Sequence, residues 1–307
     1  MGQVIRTAVI PAAGQGTRFL PATKALPKEM LPVAGKPVIQ YVVEDAISAG
    51  VDDIVLVTGW HKRTLEDHFD EPFELIARLR AAGKVAQAEE LRRIAHLANF
   101  VYIRQKGHPG NATPILNARH LLRDEPFLYL FGDDFFAGTP TRAQQLVAAF
   151  AEFDAPILAA IRTDRIEDTL KYGFVGGEEV RPGVVRVREI VEKPGPGRAP
   201  SDLAIVSGYV LTPTFIRFME GVTPIAGQEL VYVEGLARMI AAGFPVYATE
   251  IRGNRYYDCG NKLEYLKANI DIALGEEEYA EGLHSYLLEL TSLDRLANVF
   301  GTNNRSS

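Results

Sequence analysis

An α/β fold built on a mixed, mostly parallel sheet is predicted by three features of this 307-residue sequence. Two short apolar runs, Thr7–Pro11 (TAVIP) and Asp53–Thr58 (DIVLVT), read as buried strands. Between them, Pro37–Ala49 carries Val38, Ile39, Val42, Val43, Ala46 and Ile47 at three- and four-residue spacing, one apolar stripe on a helix. Strand, helix and strand in that order make a βαβ unit, whose two strands are parallel.

The elements follow in order. Proline suits the first turn of the Pro37–Ala49 helix, and Gly50 stops it. Phe73–Leu97 is charged and alanine-rich, which predicts a helical pair broken at Gly83. Phe100–Arg104 reads as a strand and Pro114–Leu122 as a helix. The apolar strand Phe127–Phe131 runs into Gly132-Asp133-Asp134, followed by a helix at Ala143–Phe153 and a strand at Pro156–Ile161. From Phe174 to Leu211 the pattern is strand-rich, with turns near Pro182 and Pro194. Helices return at Pro213–Glu220, Gln228–Ala241 and Lys262–Leu274, and Glu276–Leu290 is a final amphipathic one. No linker divides the chain, so residues 1–300 are expected to form one domain, with a polar, flexible tail over 301–307. Within it, about 1–165 would form the first part, about 166–260 a smaller strand-rich part and about 261–300 C-terminal helices.

Composition narrows the function classes. The chain is 47% hydrophobic and 23% charged, a soluble globular balance. A net charge of -6 argues against a nucleic-acid or anionic-membrane partner, and no stretch is long and apolar enough for a membrane span. A lone cysteine, Cys259, permits no internal disulfide, and Met1–Thr7 lacks the apolar core of a signal peptide; both fit a cytoplasmic setting. Six scattered histidines show no HExxH pattern, so zinc is not expected. Cys259, Trp60 and the Phe135-Phe136 pair are assigned to packing.

The first loop, Gly14-Gln15-Gly16-Thr17-Arg18-Phe19, suits phosphate. Its small residues let backbone amides approach a ligand, while Arg18 and Lys28 can meet phosphate charge. A dinucleotide fingerprint would need glycine at Phe19, and GxxxxGK[ST] is absent, so both better-known phosphate loops drop out. Asp133 follows an apolar strand, where an open α/β sheet binds ligands. A carboxylate there can hold Mg²⁺ against substrate phosphates, or it can simply cap a turn.

The longer string Gly14–Val33, GQGTRFLPATKALPKEMLPV, resembles the signature GxGTRxxPxTKxxPKxMLP of sugar-nucleotide pyrophosphorylases. It looks most like the bacterial UTP–glucose-1-phosphate uridylyltransferase family. The likeness continues through Lys36–Gly50, Asp53–Gly59, Glu192-Lys193-Pro194, Ala199–Leu211 and Asp258–Asn269. It implies a Rossmann-like sheet of the nucleotide-diphospho-sugar transferase type, with a nucleotide-binding part at about 1–165 and a smaller sugar-binding portion in the strand-rich part at about 166–260. It also implies UTP and glucose 1-phosphate as substrates, Mg²⁺ as cofactor, UDP-glucose and pyrophosphate as products, and a homo-oligomer. By the same resemblance Arg18, Lys28, Asp133 and Lys193 are catalytic, and Asp258 joins Asp133 on the metal. Ala13, Gly14, Gly16, Glu29, Gln105 and Gly110 would bind the nucleotide. Gly173, Glu192 and Lys193 would bind the sugar phosphate. On their own, Glu192-Lys193 read as a surface ion pair and Gly173 as a turn glycine.

Three segments depart from the family. Asn111–Ile115 follow Gly110 where the family has GLGHAV, Gly227–Glu234 stand in place of the family's GDEIQLTD with differences from Gln228 on, and Ser207-Gly208 replace glycine-arginine. Asp134 stands where the family commonly has an apolar residue and ranks below Asp133 as a ligand. Nucleotide and sugar choice therefore stay open to dTTP or another sugar 1-phosphate. A metal-dependent glycosyltransferase and a silent nucleotide-sugar sensor are the alternatives outside this chemistry.

Overall fold

The computed structural model describes residues 4–223 and 227–291. The tail expected at 301–307, and the domain boundary at 300, lie outside the described residues. The strands are β1 (Thr7–Ala12), β2 (Pro32–Val33), β3 (Lys36–Pro37), β4 (Asp53–Thr58), β5 (Asn99–Arg104), β6 (Phe127–Tyr129), β7 (Asp134–Gly138), β8 (Ile157–Arg162), β9 (Gly173–Arg181), β10 (Val184–Glu192), β11 (Leu203–Leu211), β12 (Tyr247–Glu250) and β13 (Asn254–Asp258). The helices are α1 (Val38–Ser48), α2 (Arg63–His68), α3 (Phe73–Ala81), α4 (Val85–Ala95), α5 (Thr113–Ala118), α6 (Arg142–Phe153), α7 (Pro213–Glu220), α8 (Tyr232–Ala241), α9 (Lys262–Gly275) and α10 (Ala280–Leu290).

The βαβ unit is present: β1 and β4 pair in parallel, Thr7 opposite Asp53 through Ala12 opposite Thr58. The main sheet runs β5-β4-β1-β6-β11-β8-β12-β10-β9. Parallel pairing extends over β5-β4-β1-β6 and recurs between β8 and β12. The other neighbours are antiparallel, so the sheet is evenly mixed rather than mostly parallel. The reason lies in β11, buried along its whole length, which enters between β6 and β8 against both. The β9–β10 hairpin adds to it, because the tight Pro182-Gly183 turn can join only antiparallel strands.

Alternation along the strands splits the core in two. Ala8, Ile10, Ile54, Leu56 and Leu128 pack on one face with α1 and α6; Val9, Val55, Val57, Phe127 and Tyr129 pack on the other with α5, α7 and α8. From β1 the chain moves outward to β4 and β5, then returns to place β6 on the other side of β1. The β1–β6 boundary is thus the topological switch point, where an open sheet leaves a crevice beyond its carboxyl ends. The glycine-rich loop leaves β1 there, and Asp133 lies just beyond β6.

Several boundaries differ from the sequence expectations. The helix expected from Gln228 starts at Tyr232, because the Leu230 backbone is already committed. Its N–H donates to Pro109 O at 2.8 Å and its carbonyl accepts from Ala112 N at 3.0 Å. The helix expected over Pro114–Leu122 is α5 followed by a 3₁₀ turn at Arg119–Leu121. The last helix begins at Ala280, and none of its residues is buried. Phe135 and Phe136 pack as expected, against Tyr257 and Tyr256. Trp60 does not: its residue is 88% exposed.

An unanticipated feature is the fully buried Arg142 at the start of α6. Its Nε donates to Asp45 Oδ2 at 2.8 Å, and its Nη1 donates to Asp134 Oδ1 at 3.0 Å and to the Ser207 carbonyl at 3.0 Å. Ser207 Oγ also accepts the Phe131 N–H at 2.9 Å. This explains the Ser207-Gly208 departure. The serine joins the network, and Gly208, at φ 120°, leaves the space for Arg142, whose Cδ would lie 2.6 Å from a Cβ there. Truncating one partner of a buried ion pair strands the others. Arg142→Met is therefore expected to cost about 3–5 kcal/mol of stability, read as a lowered urea midpoint.

Candidate active site

Three short 3₁₀ turns, Thr17–Phe19, Ala22–Lys24 and Lys28–Met30, fold the glycine-rich segment back over the end of β1. Gly16 serves this folding. Its carbonyl accepts from Phe19 N at 3.0 Å and from Thr23 Oγ1 at 2.7 Å, and its Cα lies against Lys28. Lys28 is thereby aimed at the switch point, where its Nζ meets Asp133 Oδ2 at 2.5 Å. Burial works against the ammonium, but Asp133 and Glu29 outweigh it and raise the Lys28 pKa.

The β7–β13 ribbon brings the second acid to the first. Antiparallel pairing sets Asp258 opposite Asp134, one residue from Asp133. The Gly260 N–H turns back to donate to Asp258 Oδ1 at 3.0 Å. A Cβ on Gly260 would sit 2.9 Å from Asp133 Oδ2, 3.0 Å from Asp258 Oδ1 and 3.5 Å from Arg18 Nη1. Two carboxylates and a guanidinium thus converge on one spot. Burial, then the neighbouring Asp133, raises the Asp258 pKa, as expected where two acids share a site. Asp134 points the other way, into the Arg142 network, and burial raises it to about 7. The adjacent acids have therefore separated roles: Asp133 faces the site and Asp134 anchors the strand. Gly260→Ala would place a methyl between the acids and crowd the spot on which they converge.

The donor set suits Mg²⁺. This small, hard cation takes one or two carboxylates and fills its remaining positions with water and substrate phosphates. Among the described residues no cluster of three or more His, Cys, Asp or Glu could hold a metal by itself. The buried Cys259 beside Asp258 has its thiol pKa pushed well up by burial, the behaviour of a packed side chain rather than a nucleophile.

A cavity of about 620 Å³ beyond β1, β5 and β6 is bordered by Ala13, Gly14, Lys28, Glu29, Gln105, Gly110 and Asp133, all expected site residues. Glu29 is nearly fully buried. Its Oε2 accepts from Lys62 Nζ at 2.7 Å, and Lys62 is itself fully buried. Burial pushes Glu29 up and Lys62 down, each toward its neutral form. Glu29 Oε1 is buried with no hydrogen-bond partner among the described residues, an unmet acceptor beside the cavity. Lys62 was invisible to sequence reasoning, since a lysine in a Lys-Arg pair looks like a surface residue.

The two altered segments touch each other at this cavity. Besides the Leu230 backbone pairing, Tyr232 N donates to Asn111 Oδ1 at 3.0 Å, and Tyr129 Oη donates to Asn111 O at 2.5 Å. Tyr209 Oη donates in turn to Tyr232 Oη at 2.8 Å. Gly110, at φ 126°, is held so close that a Cβ would overlap the Leu230 backbone. The departures at 111–115 and 228–234 are therefore one packed unit.

Gly173, Glu192 and Lys193 form a second group. Gly173 and Glu192 face each other across β9 and β10, and a Cβ on Gly173 would lie 3.0 Å from Glu192 Oε2. Burial raises the Glu192 pKa against the opposing charge of Lys193, whose Nζ is 3.9 Å from Glu192 Oε1. Lys193 has φ 45°, uncommon for a residue with a side chain, and its N–H donates to Tyr172 O at 3.2 Å. Tyr172 packs edge-on to Tyr256, which donates to Asp134 Oδ2 at 3.4 Å. Two tyrosines thus connect this group to the carboxylate ribbon.

The pattern of the nucleotidyl transferase family matches residues 7–274, from the first residue of β1 into α9. The chain belongs to this family. It is 41% identical over 287 residues to the UTP–glucose-1-phosphate uridylyltransferase YngB of Bacillus subtilis, covering 94% of this chain and 96% of the relative. It is 42% identical over 286 residues to UTP–glucose-1-phosphate uridylyltransferase 2 of Staphylococcus saprophyticus, covering 93% and 98%. Among solved structures it is similar to a UTP-bound UGPase from Acinetobacter baumannii. That match has a TM-score of 0.86 and 31% identity, over 94% of this chain and 100% of the other. A UDP-glucose pyrophosphorylase complexed with UDP-glucose matches with a TM-score of 0.80 and 33% identity, over 89% and 100%.

Proposed function

We propose that this chain is a UTP–glucose-1-phosphate uridylyltransferase that converts UTP and glucose 1-phosphate to UDP-glucose and pyrophosphate. The observation that carries this reading is the convergence of Asp133, Asp258, Arg18 and Lys28 at the switch point, in a chain 41% identical to a relative bearing that name. A phosphate oxygen of the sugar phosphate attacks the α-phosphorus of UTP in line, the α–β bridge breaks, and pyrophosphate leaves with its electron pair. No side chain becomes covalently attached; the residues position reactants and offset charge.

Lys28 bears on the α-phosphate and Arg18 on the departing pyrophosphate. Ala13, Gly14 and Gly110 let the nucleotide approach the backbone, Gln105 meets the base edge, and Glu29 borders the same nucleotide cavity. Lys193 pairs with the sugar phosphate, and Glu192 accepts from sugar hydroxyls. Mg²⁺, held by Asp133 and Asp258, supplies charge neutralisation on the phosphate oxygens when bound. A homo-oligomer using the exposed faces of α9 and α10, and a cytoplasmic location, belong to the same proposal.

The test is pyrophosphate release over a grid of nucleoside triphosphates and sugar 1-phosphates. UTP with glucose 1-phosphate is expected to give the highest kcat/KM. A higher value with dTTP or another sugar would move the specificity to the unit formed by 111–115 and 228–234. No release from any pair would overturn the enzyme reading.

A further inference from the structure

Trp60 is the only tryptophan in the chain, and it stands in solvent. Its loop is held on both sides. Upstream, Arg104 Nη1 donates to the Gly59 carbonyl and, at 3.2 Å, to Thr58 Oγ1, while Arg104 Nη2 pairs with Glu66 at 3.0 Å. Downstream, Lys62 is locked beneath the surface on Glu29, and its carbonyl accepts the first N–H bond of α2 from Leu65 at 3.0 Å. The exposed indole is therefore presented by fixed neighbours. Among the described residues its one ring contact is the adjacent His61, tilted by 58° at 5.0 Å between centroids. At 88% exposure most of this ring is uncovered.

Its position says what would cover it. Trp60 borders a cavity of about 610 Å³ with Ala13, Gln105 and Pro109. Those three residues also border the cavity that holds Lys28, Glu29 and Asp133. Trp60 and the phosphate-facing groups thus border neighbouring cavities that share Gln105, the residue expected to meet the base edge. A pyrimidine held at its edge by one amide still has a π-face to cover, and an aromatic side chain covers it without regard to base identity.

We infer that Trp60 stacks on the nucleobase of the bound nucleoside triphosphate and closes the outer wall of the base site. The inference rests on the uridylyltransferase reading for the location of the base. It makes Trp60 an affinity residue, so its effect falls on the KM for UTP rather than on kcat.

Because the chain has one tryptophan, emission excited selectively at the indole reports the surroundings of Trp60. Titrating wild-type protein with UTP and Mg²⁺ is expected to quench or shift the emission, saturating over the same range as the KM for UTP. Inorganic tripolyphosphate, which carries the charge without a base, is expected to leave it unchanged. Trp60→Ala is expected to raise the KM for UTP by about fivefold or more while the KM for glucose 1-phosphate stays put, and Trp60→Phe is expected to recover most of the loss. Unchanged emission at saturating UTP, or an unchanged KM for UTP in Trp60→Ala, would overturn the stacking and leave the enzyme reading intact. An unchanged KM accompanied by a smaller particle on sedimentation would likewise overturn it and assign the indole to a subunit contact. If wild type releases no pyrophosphate, the enzyme reading fails and the fluorescence titration still decides whether a nucleotide covers Trp60.

Discussion

Asp133→Asn is expected to lower kcat by about 10³-fold while the protein stays folded. The substitution keeps the shape of the side chain and removes the charge that faces both Lys28 and the spot shared with Asp258. Stability should change little, because Asp133 is partly exposed and the buried network belongs to Asp134. Circular dichroism reads the fold, and coupled pyrophosphate release reads turnover. The variant should also need more Mg²⁺ for half-maximal activity. Undiminished Mg²⁺-dependent turnover would remove Asp133 from the metal site. The matching substitution at Asp134 is expected to act differently, through lost stability, because it removes a negative charge that faces the buried Arg142.

Lys28→Ala is expected to lower kcat by about 10²-fold and to raise the KM for UTP, with the Mg²⁺ requirement unchanged. The distinction follows from geometry. Lys28 pairs with Asp133 but offers only a positive charge to the phosphates, so its loss weakens the reacting complex without removing a metal ligand. Because its pKa is raised above the ordinary lysine value of 10.5, the ammonium stays charged throughout the neutral range and is lost only in strong alkali. Activity at neutral pH should therefore show no step due to Lys28. Lys28→Arg is expected to rescue poorly, since a guanidinium fork is larger than the compact ammonium that sits close against Gly14 and Asp133. A Lys28→Ala variant with wild-type kcat would place the α-phosphate elsewhere.

Much of this arrangement is legible in the sequence, and the illegible remainder has physical causes. Periodicity alone marks β1, α1 and β4, because each buries a face or a whole run in the core. The Gly14–Val33 string marks the phosphate side, since its chemistry is local. The β7–β13 ribbon is another matter. Its strands pair residues more than a hundred positions apart, Asp134 opposite Asp258, and nothing local sets that register. The convergence of the two acids therefore came from family likeness and not from spacing. Lys62 and Arg142 were missed because a charged residue gives no local sign of burial; only the tertiary partners Glu29, Asp45 and Asp134 make it tolerable. The Ser207-Gly208 departure was visible as a difference, but its reason appears only once Arg142 occupies the space over Gly208. Likewise, the residues before Tyr232 have helix-compatible character, and tertiary hydrogen bonds at Leu230 override it.

The central claim is direct uridylyl transfer to glucose 1-phosphate, and one labelling measurement tests it. Purified protein is incubated with Mg²⁺, UTP labelled at the α-phosphorus and glucose 1-phosphate labelled in the sugar. Both labels are predicted to appear in UDP-glucose, with one pyrophosphate released for each UDP-glucose formed and no label left on the protein. Label retained on the protein, or no joint product and no pyrophosphate, would contradict the account.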